Sequence, residues 1–222
     1  MREKIKTILF DLDGTIVDTE KVAADSVWEF FAQWKIQLQT EDAGYLTGRT
    51  WASAFNYLFN KYSIPISKEE ASRQMLEKYR HSIENNLAII PGSTTAIANL
   101  APHFSLGLVS GSHRADIEWA LKKLGVYHHF HTILGAEDYP RSKPQPDGYL
   151  KALQLMDTRP EACLIFEDSE AGIQSARAAG TWVAAITHAN HFGQNCREAH
   201  VQIPNFNLVT AEWVHHLSFD SH

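Results

Sequence analysis

The chain has 222 residues, 44% hydrophobic and 21% charged, which is ordinary globular material, long enough for one substantial core and a small second lobe. A net charge of −6 gives no basic field for a polyanion, so nucleic acid is excluded as the main partner and an anionic substrate must be held by local groups. Two cysteines, Cys163 and Cys196, cannot build a disulfide framework, and Cys163 lies in an apolar run that reads as a buried thiol.

The basic and then apolar opening of residues 1–10 meets Asp11 and Asp13 before a signal-peptide core can form, and no apolar run is long enough for a bilayer. A soluble cytoplasmic protein without a membrane partner is expected. Short apolar or β-branched runs at 5–10, 106–109, 132–134, 163–166 and 182–186 predict strands. After the first of them the alternation breaks. Up to about residue 86 the sequence predicts helices and no strand: Ala23, Val27, Phe30, Phe31 and Trp34 share one face, and Ser67 with Glu70 forms a capping box before Ala71, Met75, Tyr79 and Ile83. This predicts a helical insertion over 18–87, a second lobe on a core made of 1–17 and 88–222. It would lie over the carboxyl edge of the sheet, where open parallel sheets bind ligands. Further on, Ile117, Ala120, Leu121 and Leu124 are spaced as a helix stopped by Gly125, Pro146 suits the first turn of the next helix, and Gly180 ends one that starts near Ser169. Strands alternating with helices of this length predict an α/β doubly wound parallel sheet, covered on both faces.

Asp11-Leu12-Asp13-Gly14-Thr15 follows the first strand directly, so a period of two turns Asp11 and Asp13 the same way and Leu12 toward the core. A plain Asp13-Gly14 turn would use the same residues. A second acidic pair, Glu167-Asp168, ends the fourth strand ahead of a helix start at Ser169. Four acids at one sheet edge repel unless a cation joins them, and hard oxygen donors without histidine or thiolate select Mg2+. Ser110 and Gly111 end the second strand and offer a hydroxyl and backbone N–H groups to a phosphate, while Ser112 reads as a helix N-cap. Lys143 lies in a loop stiffened by Pro144. The runs around His128, His129 and His131 and at His215-His216 have no Cys or acidic ligand at metal spacing, so they are not read as a zinc site.

Together these segments resemble the haloacid dehalogenase superfamily. Its first motif is matched from Asp11 to Glu20, its second by Ser110, its third by Lys143-Pro144-Gln145-Pro146-Asp147, and its fourth by Glu167-Asp168-Ser169-Glu170-Ala171-Gly172-Ile173, in order and each at an expected strand end. The resemblance implies a Rossmann-like sheet of order 5-4-1-2-3 with the helical cap of the phosphoglucomutase-like and phosphoglycolate-phosphatase-like branch. It implies that Asp11 is the nucleophile, that Asp13 is the general acid and then the base, and that Lys143, Ser110 and Gly111 bind the phosphoryl group. Mg2+ would be held by Asp11, the Asp13 backbone carbonyl and Asp168, with Glu167 ligating it or holding one of its waters. In the cap, Glu20, Gly48 and Arg49 are the implied substrate contacts, the guanidinium being placed to grip a second anionic group. The expected reaction is hydrolysis of a small phosphomonoester such as a sugar phosphate. A sugar phosphomutase is the alternative, disfavoured because the histidine that branch carries shortly after the first motif is Ala23 here. A relative that only binds is disfavoured because every motif position is filled.

Overall fold

The computed structural model describes residues 4–85 and 87–217, so the first three residues of the basic opening and Asn86, near the expected end of the cap, lie outside the described residues. Six parallel strands form one sheet in the order β3-β2-β1-β4-β5-β6: β1 (Thr7–Phe10), β2 (Ser105–Val109), β3 (Phe130–Leu134), β4 (Cys163–Glu167), β5 (Trp182–Ile186) and β6 (Val201–Ile203). The first five follow the expected order. The sixth, Val201–Ile203, was not expected: three residues with a polar centre carry too little periodicity to be read as a strand.

Burial alternates with period two along the central strands. Ile8, Phe10, Leu106, Leu108, Leu164 and Phe166 enter one apolar cluster, while Leu9, Val109, Cys163 and Ile165 enter another on the opposite face. Leu12 continues the first set and is buried with it, as its spacing from Phe10 requires. Helices α5 (Ser93–Leu100), α6 (Arg114–Lys123), α7 (Asp147–Leu155), α8 (Glu170–Ala178) and α9 (Ala211–His216) accompany the strands.

Between β1 and α5 lie α1 (Glu20–Ala32), α2 (Thr40–Leu46), α3 (Trp51–Lys61) and α4 (Lys68–Asn85). They enclose their own apolar cluster, built on Val27, Phe30, Phe31, Phe55, Leu58, Ala71 and Met75. On α1 Ala24 is buried and Ala23 half-buried, and both border the cavity below. Ser67 accepts from the Glu70 backbone N–H at 3.2 Å, but the Glu70 carboxylate turns to Arg73 at 2.7 Å, so half of the expected capping box forms. The chain leaves and re-enters the sheet region side by side: Val17 and Ile89 form an antiparallel bridge, with Asp18 N–H bonded to the Ala88 carbonyl at 3.0 Å.

Candidate active site

Strand register decides which ends meet. Phe10 is level with Leu108 on β2 and Phe166 on β4, so the residues at the ends of these strands, Asp11, Ser110, Glu167 and Asp168, emerge at one sheet edge. Asp11, Glu167 and Asp168 are all buried and bring carboxylate oxygens within 4.8 Å of one another.

Lys143 is not a solvent-facing loop lysine. It is 3% exposed; its ammonium donates to Asp11 Oδ1 at 2.5 Å, to Glu167 Oε1 and, at 3.4 Å, to the Val109 carbonyl. Burial pulls the lysine toward neutrality, but the Asp11 and Glu167 carboxylates outweigh it and hold the ammonium well above its ordinary pKa. Burial and neighbouring acids push the Asp11 and Asp168 carboxyls up, Lys143 opposing the shift in both.

Glu167 is saturated by protein donors. Oε1 accepts from Lys143 and from the Tyr149 hydroxyl at 2.6 Å; Oε2 accepts from Asp168 N–H at 3.1 Å and the Ser169 hydroxyl at 3.1 Å. Asp168 differs: Thr15 donates to Oδ1 at 3.1 Å, and Oδ2 is buried with no hydrogen-bond partner among the described residues. Gly14, at φ +83°, makes the room, since a Cβ there would stand 2.1 Å from that oxygen. Three buried carboxylates, two of them sharing one ammonium and the third with an oxygen orphaned, fit a hard divalent cation.

The Asp13 carboxylate stands apart from that cluster. Oδ1 accepts from the Thr19 hydroxyl at 2.6 Å and the Tyr79 hydroxyl at 3.3 Å; Oδ2 accepts from Ser112 at 2.8 Å and Ser110 at 3.2 Å. This corrects the reading of Ser112 as a helix cap. The N-cap of α6 is His113, which leaves the Ser112 hydroxyl free to serve Asp13.

Asp11, Asp13, Ser110 and Gly111 line a cavity with Glu20, Ala23, Gly48, Arg49, Trp51 and Tyr79 from the inserted helices and their loops. Glu20 is buried, and neither of its oxygens has a hydrogen bond of ordinary geometry among the described residues. The Asp168 carboxyl and the Thr47 hydroxyl lie close to it, and burial pushes its carboxyl up to about 7. Gly48, at φ +72°, lets its loop approach the core so closely that a Cβ would meet Ser169 Oγ at 2.0 Å. Arg49 is occupied: Nη1 donates to the Lys143 carbonyl at 3.3 Å and the guanidinium lies 4.3 Å from the centre of the Tyr45 ring. Trp51 both borders the cavity and packs on Phe55 and Tyr79.

Three tyrosine hydroxyls in this site escape sequence reasoning, on Tyr79, Tyr149 and Tyr139, the last donating to the Ser110 carbonyl at 2.8 Å. The first two fell in helical apolar patterns. The available signal was chemical, since a buried phenol needs a polar partner.

A parallel α/β sheet carrying this carboxylate and lysine cluster at its carboxyl edge defines a class of hydrolase, and comparison with known proteins gives the family. The family model described as haloacid dehalogenase-like hydrolase matches residues 8–186. The chain belongs to that family of enzymes. It is 29% identical to the fructose-1-phosphate phosphatase YqaB of Escherichia coli (strain K12), over 81% of this chain and 95% of that one. It is 28% identical over 81% of its length to the bifunctional riboflavin kinase/FMN phosphatase of Arabidopsis thaliana, of which it spans 48%. A crystal structure of beta-phosphoglucomutase from Clostridium difficile superposes with a TM-score of 0.81 at 23% identity, covering 95% of each chain, which is a likeness of fold. Among the described residues no helix is long and apolar enough to cross a membrane.

Proposed function

We propose that this chain is a Mg2+-dependent phosphatase that hydrolyses a small phosphomonoester, a sugar phosphate or similar metabolite, through an aspartyl-phosphate on Asp11. The observation that carries the reading is the buried Asp11 carboxylate paired with Lys143 at 2.5 Å in the cavity that also holds the hydroxyl-bound Asp13. Asp11 attacks phosphorus in line, and Asp13 gives its proton to the departing alcohol oxygen. Asp13, now a carboxylate, takes a proton from the water that cleaves the acyl phosphate and so regains its starting state. Lys143 offsets charge on the transferring group, which the Ser110 hydroxyl and Gly111 N–H bind after Ser110 turns from Asp13. Asp11, Asp168 and the Asp13 carbonyl would hold Mg2+, which when bound supplies Lewis-acid neutralisation of phosphate charge. Glu167, saturated by protein donors, is suited to orient Lys143 and to hold a metal water.

Residues 18–87 act in this reading as a cap on a core of 1–17 and 88–222, with Glu20, Gly48 and Arg49 at the substrate side. Two free, buried thiols suit the reducing cytoplasm it assumes. The fructose-1-phosphate phosphatase relative makes sugar and polyol monophosphates the first candidates. The test is to incubate the protein with a panel of phosphomonoesters and with β-glucose 1-phosphate, with Mg2+ or EDTA, and follow 31P NMR. Mg2+-dependent inorganic phosphate without a bisphosphate activator is expected. Bisphosphate-dependent glucose 6-phosphate with little inorganic phosphate would replace the hydrolase by the mutase.

A further inference from the structure

We infer that Tyr79 is a positioning residue for Asp13, the contact by which the inserted helices hold the acid/base carboxyl toward the leaving-group oxygen when they lie over the sheet edge. The inference rests on the acid/base role proposed for Asp13. Of the hydroxyls on that carboxylate, Ser110 and Ser112 come from the loop after β2, and Thr19 lies six residues along the same segment. Tyr79 comes from α4, 66 positions away in sequence. Among the described residues no other side chain of α1 to α4 bonds to Asp13. Ala23 faces the same cavity with a methyl group that cannot.

The ring is built in rather than laid on. It is 4% exposed, and Trp51 packs on it with ring centres 5.0 Å apart. Trp51 belongs to α3, so two helices of the insertion fix where the hydroxyl points. Burial, and then the neighbouring Asp13 charge, keeps the phenol well above its ordinary pKa, so it keeps its proton, donating to Asp13 as the carboxylate and accepting from it as the acid. At 3.3 Å the contact is long for O–H···O, as acid/base contacts often are before substrate closes the site. Were the insertion to lift, the hydroxyls of Ser112 and Thr19, and that of Ser110 until it turns to the phosphoryl group, would stay with Asp13, and that of Tyr79 would not. Asp13 therefore has its contact from the insertion only with the cavity closed, which ties proton delivery to a bound substrate.

A buried tyrosine that served packing alone would affect every ester alike. One that aims the acid affects esters by how much their leaving group needs a proton. The test measures kcat/KM with Mg2+ for p-nitrophenyl phosphate, phenyl phosphate and one alkyl phosphate, using wild type, Tyr79→Phe and Asp13→Asn. Phenylalanine keeps the ring against Trp51 and removes only the hydroxyl. Tyr79→Phe is expected to lose about 10-fold more on the phenyl and alkyl esters than on the p-nitrophenyl ester, part of the larger selective loss in Asp13→Asn, since positioned acid catalysis is worth about 10²–10⁴ in all. A loss equal on all three esters, or none, while Asp13→Asn shows the selective pattern, overturns the role of Tyr79 alone. If Asp13→Asn shows no selectivity, or wild type turns over none of the esters, the acid/base reading falls and takes this inference with it.

Discussion

Lys143→Met removes one charge and little else, since the two side chains are of similar length and the site is buried. In the wild type the ammonium spans Asp11 Oδ1 at 2.5 Å and Glu167 Oε1. Removing one partner of a buried ion pair costs about 3–5 kcal/mol, because the other charge is left without compensation. Two carboxylates lose this cation, yet the costs do not double. Glu167 keeps Tyr149, the Asp168 N–H and Ser169 as donors, so the uncompensated charge falls mainly on Asp11. That carboxyl, already pushed up by burial, relieves itself by taking a proton. The lower end, about 3 kcal/mol, is therefore expected, which for a chain of this size lowers Tm by about 6–12 °C. Loss of a charge-stabilising donor from the reacting group should cost a further factor of about 10²–10³ in kcat. Thermal unfolding in EDTA and steady-state phosphate release with Mg2+ measure the two effects separately. A variant less than about 1 kcal/mol weaker that keeps over a tenth of its activity would refute both the pairing argument and the assignment of Lys143 to the phosphoryl site.

Asp42 in α2 is a stability prediction away from the chemistry: its fully buried carboxylate accepts from Lys61, Tyr57, Tyr62 and the Gln39 N–H. Burial alone would raise it, but these bonds outweigh burial and lower its pKa, so its contribution is present above the unfolded value of about 3.9 and is lost as pH falls through the lower folded value. Asp42→Asn, which replaces an acceptor by an N–H facing donors, should cost about 2–3 kcal/mol at neutral pH in urea unfolding, with the gap to wild type closing in acid; a gap independent of pH would deny Asp42 its charge. Arg49→Ala removes the guanidinium's hydrogen bond to the Lys143 carbonyl, about 1.5 kcal/mol of closure; its stack on Tyr45 lies within the insertion and holds whether the cavity is open or closed. The substitution should raise KM roughly 10-fold even for p-nitrophenyl phosphate, whereas a loss confined to substrates with a second anionic group would return Arg49 to the grip the family resemblance implies.

Much of this molecule was legible in the chain because two kinds of signal are local. Leu12 lies between two aspartates and continues the burial period of Ile8 and Phe10, so the turn that carries Asp11 could be read from spacing alone. Glu167-Asp168 likewise closes a strand buried at every position. What stayed hidden depends on distance in space. The loop position of Lys143 says nothing of the two carboxylates that bury it, and only the register of β1 with β2 and β4 brings them together. Ser112 looked like a cap because a serine before a helix usually is one; α6 starts at Arg114, and that offset of one residue turns the hydroxyl to Asp13.

The tyrosines carry the same lesson further. Tyr79 and Tyr149 stand in apolar stripes, beside Met75 on α4 and Leu153 on α7, and both rings are buried as those stripes require. Their hydroxyls nonetheless end on Asp13 and Glu167, because a phenol is apolar along its body and polar at its tip, and a buried tip must find an acceptor. An amphipathic pattern therefore records the body of such a residue and is blind to its end. The histidine that the mutase branch carries shortly after the first motif is Ala23 here, on α1, and its methyl cannot bond to Asp13. In the structure α4 reaches the same carboxylate with Tyr79, so a missing histidine on α1 does not leave Asp13 without a contact from the inserted helices. Within the proposed mechanism, hydrolysis over transfer then rests on whether water reaches the aspartyl-phosphate before a second alcohol does, which the distribution of product between inorganic phosphate and sugar phosphate measures directly.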